Sequence, residues 1–223
     1  VAPWPAVQFA SPRVCLGAQS AFTDQSVITS GNITNWSWDF GVTALNNDTS
    51  NVQNPSYTYT SAGTFSVTLT CTSNNGCVSS VVLPVVVNPL PQANFTSNSV
   101  CQGTPTSFTD SSVPATGTIT NWTWDFGDGS PTSSVQNPSY TYANDTSYNV
   151  TLIVTNSAGC TDTVMLPAQV GSLPVVLFSA DTLAGCPELC VNFSDLTTTS
   201  NGTIVQWTWD FGDGSVPSGL QNP

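Results

Sequence analysis

Apolar and polar residues alternate along most of this chain. In TFSVTLTCTS, Phe65, Val67, Leu69 and Cys71 fall on one face, with Ser and Thr opposite. YNVTLIVTN repeats the pattern with Val150, Leu152 and Val154. A period of two is that of a strand with one buried face, whereas a helix returns to the same face every 3.6 residues. Turn signals (SAG, NNG, GDG) cut the alternating runs short. Roughly seven such strands in about 86 residues describe a β-sandwich, with helix close to absent.

The alternation recurs as a repeat. NWSWDFG begins at Asn35, NWTWDFG at Asn121 and QWTWDFG at Gln206, offsets of 86 and 85 residues. AFTD at Ala21, SFTD at Ser107 and NFSD at Asn192 keep the same register, as does VQNPSYTY at Val52 and Val135. Each copy follows a proline linker (APWPAVQF, NPLPQANF, GSLPVVLF), which divides the chain into repeats 1–89, 90–172 and 173–223. The third copy stops at GLQNP where the others run on into SYTY, so it is expected to lack its last three strands. VAP at the start matches VNP at Val87. Both ends therefore read as cuts through a longer array, with completion of the third copy by a partner chain as the alternative.

Composition narrows the chemistry. Among 223 residues there is no histidine and no lysine, and Arg13 is the only arginine. General bases, nucleophile triads, zinc sites and phosphate cradles all lean on the missing side chains. Only carboxylate pairs remain as catalytic candidates, and the chain is read as a non-enzyme. A formal charge of −12 argues against nucleic acid and anionic membranes as partners. No apolar run is long enough to span a bilayer as a helix.

Seven cysteines without histidine point to disulfides and an oxidising, extracellular setting. Cys15, Cys101 and Cys186 occupy equivalent positions, as do Cys77 and Cys160. The expected bonds are Cys15–Cys77 and Cys101–Cys160, each closing a loop of about 60 residues worth roughly 4 kcal/mol. Cys186 is then expected to bond a cysteine beyond Pro223. Cys71 aligns with Val154 on the inward face and is expected to be a buried free thiol.

The combination W-x-W-D-F-G-D-G, N-P-S-Y-x-Y and G-T-F-S-V-T-L resembles the PKD (polycystic kidney disease type) domain. The resemblance covers essentially the whole chain and implies tandem immunoglobulin-like β-sandwiches in a linear array. The first copy departs from it, with Val42-Thr43 in place of Asp128-Gly129 and a longer loop. VCQG early and AGC late in one unit resemble cell-surface repeat proteins of Bacteroidota, exported and used in adhesion or gliding. In that group Asp-Ser/Thr-apolar triplets carry O-glycans, which marks Thr163 and Thr182; nine N-x-S/T sequons carry little information in so Asn- and Thr-rich a chain. The immunoglobulin arrangement also places strands B and E side by side. Cys190 aligns with Gln19 and Pro105 and points outward, so its expected partner lies at the strand position held by Thr58 and Thr141.

WDFGDG itself admits two readings. Structurally, Trp124 and Phe126 fill the space between sheets and Trp122 closes one end. Gly127 and Gly129 then make a tight turn whose amides bond to Asp125 and Asp128. Functionally, Asp125 and Asp128, with Asp210 and Asp213 in the third copy, would hold calcium, which needs six to eight oxygens. The structural reading is preferred and no cofactor is expected. The overall expectation is an extracellular structural protein: a rigid stalk or filament segment of a surface adhesin, its partners being neighbouring repeats and identical chains in a filament. The alternative is a carbohydrate- or ligand-binding accessory module, in which the paired tryptophans stack on surface glycans.

Overall fold

A computed structural model describes residues 2–11, 13–42, 48–182, 184 and 190–223. The protein is all-β, and no helix occurs among the described residues. It divides into two compact units. One comprises Val1–Asn94, Ser112–Trp122 and Ile153–Val164; the other comprises Phe95–Ser111, Thr123–Leu152 and Met165–Pro223. The division runs through the second repeat.

In the first repeat the strands are β1 (Phe9–Ala10), β2 (Val14–Cys15), β3 (Gln19–Ala21), β4 (Thr23–Asp24), β5 (Ile33–Asp39), β6 (Thr49–Ser50), β7 (Ser56–Thr58), β8 (Gly63–Ser73) and β9 (Val78–Asn88). One sheet has the order β2-β9-β8-β5-β6, and β1-β4 and β3-β7 form short ladders apart from it. The long hairpin β8–β9 runs in register from Gly63↔Val87 to Thr72↔Val78. Its turn closes through Gly76, whose φ of 78° suits glycine and whose N–H donates to the Ser73 carbonyl. Pro84 is tolerated in β9 because its short outer neighbour β2 pairs only with Val87 and Asn88.

Alternation does what the pattern predicts. Val67, Leu69 and Cys71 are buried on β8 and Val85 and Val87 on β9, packed with Phe9, Phe22, Trp38, Phe40 and Tyr59 in one core. The Trp38 ring stands edge-on to Phe9 at 5.1 Å between centroids and tilted to Phe22 at 5.5 Å. Cys71 is buried and unbonded, its thiol 3.5 Å from the Ser26 hydroxyl.

The second repeat contributes β10 (Phe95–Ser97), β11 (Val100–Cys101), β12 (Pro105–Asp110), β13 (Ile119–Asp125), β14 (Ser139–Thr141), β15 (Ser147–Asn156) and β16 (Thr161–Gly171). They form two sheets, β10-β12-β14 and β11-β16-β15-β13. The aromatic set is the same, with Phe95 to Trp124 at 5.0 Å and Phe108 to Trp124 at 5.6 Å. The third repeat has β17 (Phe178–Ala180) and β18 (Phe193–Asp195), paired from Phe178↔Asp195 to Ala180↔Phe193. Phe178 to Trp209 is 5.4 Å and Phe193 to Trp209 is 5.7 Å.

The cysteines pair otherwise than expected. Cys15 bonds Cys160, with Cα atoms 5.6 Å apart and a sequence separation of 145. Neither Cys15–Cys77 nor Cys101–Cys160 forms, and strand register gives the reason. Cys15 lies beside Asn88, the last residue of β9, whereas Cys77 immediately precedes Val78, the first. That strand is eleven residues long, so the two cysteines stand about 35 Å apart. Cys101 beside Gly171 and Cys160 before Thr161 are separated in the same way by β16. Cys186 lies outside the described residues.

Further ties hold the Cys160 hairpin to the linker at residues 89–93. Asn156, buried in that hairpin, donates through Nδ2 to the carbonyls of Pro89 (3.3 Å) and Pro114 (3.2 Å). Its Oδ1 accepts from the N–H groups of Ala158 and Cys160. Asp162 accepts from the Ala93 N–H at 2.8 Å.

Candidate functional site

The chemistry-bearing residues gather where β13 leaves the sheet. Trp122, Trp124 and Phe126 share a face, as strand geometry requires. Trp124 is 0 % exposed, and its indole N–H donates to the Val135 carbonyl at 2.9 Å. The same bond recurs from Trp38 to Val52 (2.9 Å) and from Trp209 to Leu220 (2.8 Å). These tryptophans thus pin the loop before the N-P-S-Y strand from the inside. Trp122 is half-buried at the margin.

Phe126 stacks on Tyr140 at 4.1 Å, and the buried Tyr142 donates its hydroxyl proton to the Phe126 carbonyl at 2.9 Å. Tyr59 makes the equivalent bond to Phe40 at 3.1 Å. Burial pushes both phenols well above their ordinary range, so each stays protonated and a donor.

The candidate calcium aspartates are turned inward on their own turns. Asp125 accepts from the Gly127 N–H (2.9 Å) and Asp128 from the Ser130 N–H (3.0 Å). Asp210 and Asp213 repeat this with Gly212 and Ser215, each at 2.9 Å. The second oxygen of Asp128 accepts the Tyr140 hydroxyl at 2.6 Å. Burial acts to raise the Asp128 carboxyl, and the bonds from Tyr140 and Ser130 outweigh it, leaving it below its ordinary range. Among the described residues no group of three or more Cys, Asp or Glu side chains is placed to hold a metal ion. Asp125 and Asp128 come together on one turn; Asp210 and Asp213 form the corresponding turn of the third repeat.

Gly127, at φ 79°, lies so close to β15 that a Cβ would sit 2.4 Å from the Asn149 carbonyl oxygen. Gly41 is equally confined by Ser66. In the first repeat, where the second aspartate is missing, Asp48 arrives from the far side of the longer loop. It is buried, accepts from the Val42 N–H at 2.6 Å, and through its backbone carbonyl accepts from Phe40 N–H. Residues 43–47 of that loop lie outside the described residues.

One conserved-by-repeat hub escaped the sequence reading. The aspartate ending AFTD and NFSD binds the first tryptophan of each motif: the Trp36 indole donates to Asp24 at 2.7 Å and Trp207 to Asp195 at 2.8 Å. Asp24 also accepts from Ser26 N–H (2.9 Å) and Gln53 (3.1 Å). Burial acts to raise its carboxyl, and the bonds from Ser26, Gln53 and Trp36 outweigh it, for a net depression. At Asp195 the bonds from Thr197, then Trp207 and Gln221, hold the carboxyl at about 2. The signal was present: the same aspartate stands in all three aligned blocks. Thr163 is exposed on β16, while Thr182 is half-buried and donates to the Ala184 carbonyl.

Comparison with known proteins gives one family. The PKD domain model matches residues 1–87 and again 87–170. Human polycystin-1 is 33 % identical over 122 residues, 52 % of this chain and 3 % of that protein. The pre-pro-metalloprotease PrtV of Vibrio cholerae serotype O1 is 30 % identical over 119 residues, 49 % of this chain and 12 % of PrtV. The chain thus spans a small part of either relative. The crystal structure of the PKD1 domain of Vibrio anguillarum Epp is 34 % identical, covering 36 % of this chain and 93 % of that one, with a TM-score of 0.33.

Proposed function

The chain belongs to the PKD domain family, and from that premise we propose that it is a non-catalytic, extracellular spacer that carries tension, as a stalk or filament segment of a surface adhesin does. The observation that carries the reading is the Cys15–Cys160 bond, which crosses from the first sequence repeat to the second. A bond within one sandwich would protect that sandwich alone. A bond between successive repeats shunts force past everything between its ends, here the residues from 16 to 159. The aromatic rings support the same reading, because Trp38, Trp124, Phe40 and Phe126 are spent on internal packing. The aspartates beside them hold turns.

Single-molecule force extension tests this. The shunted segment would add about 500 Å of contour length if it were free to unravel. The oxidised protein should extend short of its full length by about that amount and recover it after reduction. Equal extension in both states would end the mechanical reading. Specific retention on a glycan array, lost in Trp122→Ala with the fold intact, would instead favour sugar binding.

A further inference from the structure

The Cys15–Cys160 bond takes residues 16–159 off the line of tension, and two short covalent segments of the first two repeats stay on it. The first runs from Ala2 to Cys15. Ala2 lies at one end of β9, its carbonyl oxygen 3.9 Å from the Cys77 sulfur, and Cys15 lies at the other end, in register with Asn88. That strand has eleven residues, so its ends stand about 35 Å apart. Thirteen peptide units join Ala2 to Cys15 and reach about 45 Å at full stretch. In the folded protein this segment is therefore at roughly four-fifths of its limit.

The second segment runs from Cys160 to Gly171. Cys160 directly precedes β16, which continues unbroken from Thr161 to Gly171. A strand rises about 3.3 Å per residue, and no chain exceeds about 3.6 Å. β16 is thus already near its greatest length, and peeling it from β15 would break hydrogen bonds and release almost no chain. Between the two segments the bond itself spans 5.6 Å from Cα to Cα. Trp38, Leu69, Trp124 and Leu152, all fully buried in the two cores, lie in the bypassed loop.

We infer that, in the oxidised protein, residues 2–15 and 160–171 joined through Cys15–Cys160 form one covalent tendon that is almost inextensible. The inference rests on the force-carrying reading above and adds its regulation. Tension in the oxidised state passes beside the folded bodies, so how firmly a core is packed has no bearing on how far the protein stretches. A dithiol reductant gives two electrons and two protons to the bond and leaves as its own cyclic disulfide. Two free thiols result, and about 500 Å of hidden chain enters the line of tension.

The test is force extension of the full chain between azide-bearing residues introduced at Trp4 and Leu173, which are 67 % and 56 % exposed. The oxidised protein should lengthen by no more than about 20 Å, and the same molecules in dithiothreitol by about 500 Å. Leu69→Ala and Leu152→Ala, each opening a cavity in one core, should lower the melting temperature and the unfolding force of the reduced protein. Neither should move the oxidised curve. An oxidised gain above about 20 Å, or an oxidised curve that shifts with either variant, overturns the tendon while the reduced gain leaves the force-carrying reading standing. Equal extension in the two redox states overturns both.

Discussion

Removing the Cys15–Cys160 bond has a calculable effect. Cys15→Ser is the gentler perturbation, because Cys15 is half-buried while Cys160 is 1 % exposed. The bond spans 145 residues of sequence. In the chain-entropy account a loop of that length restricts the unfolded chain by about 5 kcal/mol, and bonds in practice deliver about 2–4 kcal/mol. For a chain of this size that corresponds to a melting temperature lower by roughly 5–15 °C. Calorimetry should find it, and reductant added to the parent should reproduce it. Reductant added to Cys15→Ser should change nothing further. Cys160→Ala should match Cys15→Ser, and the double variant should fall no lower than either single one. Cys77→Ser should stay within about 0.5 kcal/mol of the parent, as substitutions away from special features do. A parent-like melt for Cys15→Ser together with a large loss in Cys77→Ser would refute the reasoning and restore bonding within each repeat.

Other consequences follow from individual residues. Gly127→Ala should destabilise by about 3 kcal/mol and Gly129→Ala by about 1, since both keep a positive φ but only Gly127 meets a carbonyl oxygen; urea titration compares them. Thr106, fully buried, has a hydroxyl without a hydrogen-bond partner. The third repeat has Val191 there, so Thr106→Val should raise stability by about 1 kcal/mol. Tyr59 and Tyr142 are raised above the ordinary phenol value of 10.0 by burial. Their contribution is therefore intact below pH 10 and lost as pH climbs beyond it, and stability of the Tyr59→Phe, Tyr142→Phe double variant should fall less steeply there. Asp24 is depressed below 3.8, so its contribution holds above that pH and fades as acid reaches its lower folded value. Asp24→Asn should flatten the acid limb of a pH–stability curve.

Alternation made the strands legible, and the repeat made the core legible. Phe65, Val67, Leu69 and Cys71 could be assigned a face by counting, and the inward tryptophan of each motif followed from the same count. The disulfides could not be read that way. Equivalent positions in successive repeats fix which two cysteine classes meet, but not whether they belong to one repeat or to neighbours. A register settles it, because Cys15 pairs with one end of β9 and Cys77 sits at the other. Asp48 was hidden for a related reason: it reaches the turn across a loop of a length the other repeats lack. Asp24 and Asp195 were in plain view, but their aligned blocks served as landmarks and the donors of Trp36 and Trp207 were left without acceptors. The cross-strand pairs Gln19↔Thr58 and Pro105↔Thr141 give the outward position of Cys190 a definite opposite number.

Asn156 and Cys160 reach back to a part of the protein made long before them. A ribosome extending this polypeptide has to deliver some 145 more residues after Cys15 before its mate exists. Until then the earlier sulfhydryl must wait, guarded from wrong partners. The bond therefore closes late in synthesis, and either repeat excised for study would carry one widowed sulfur and no crosslink.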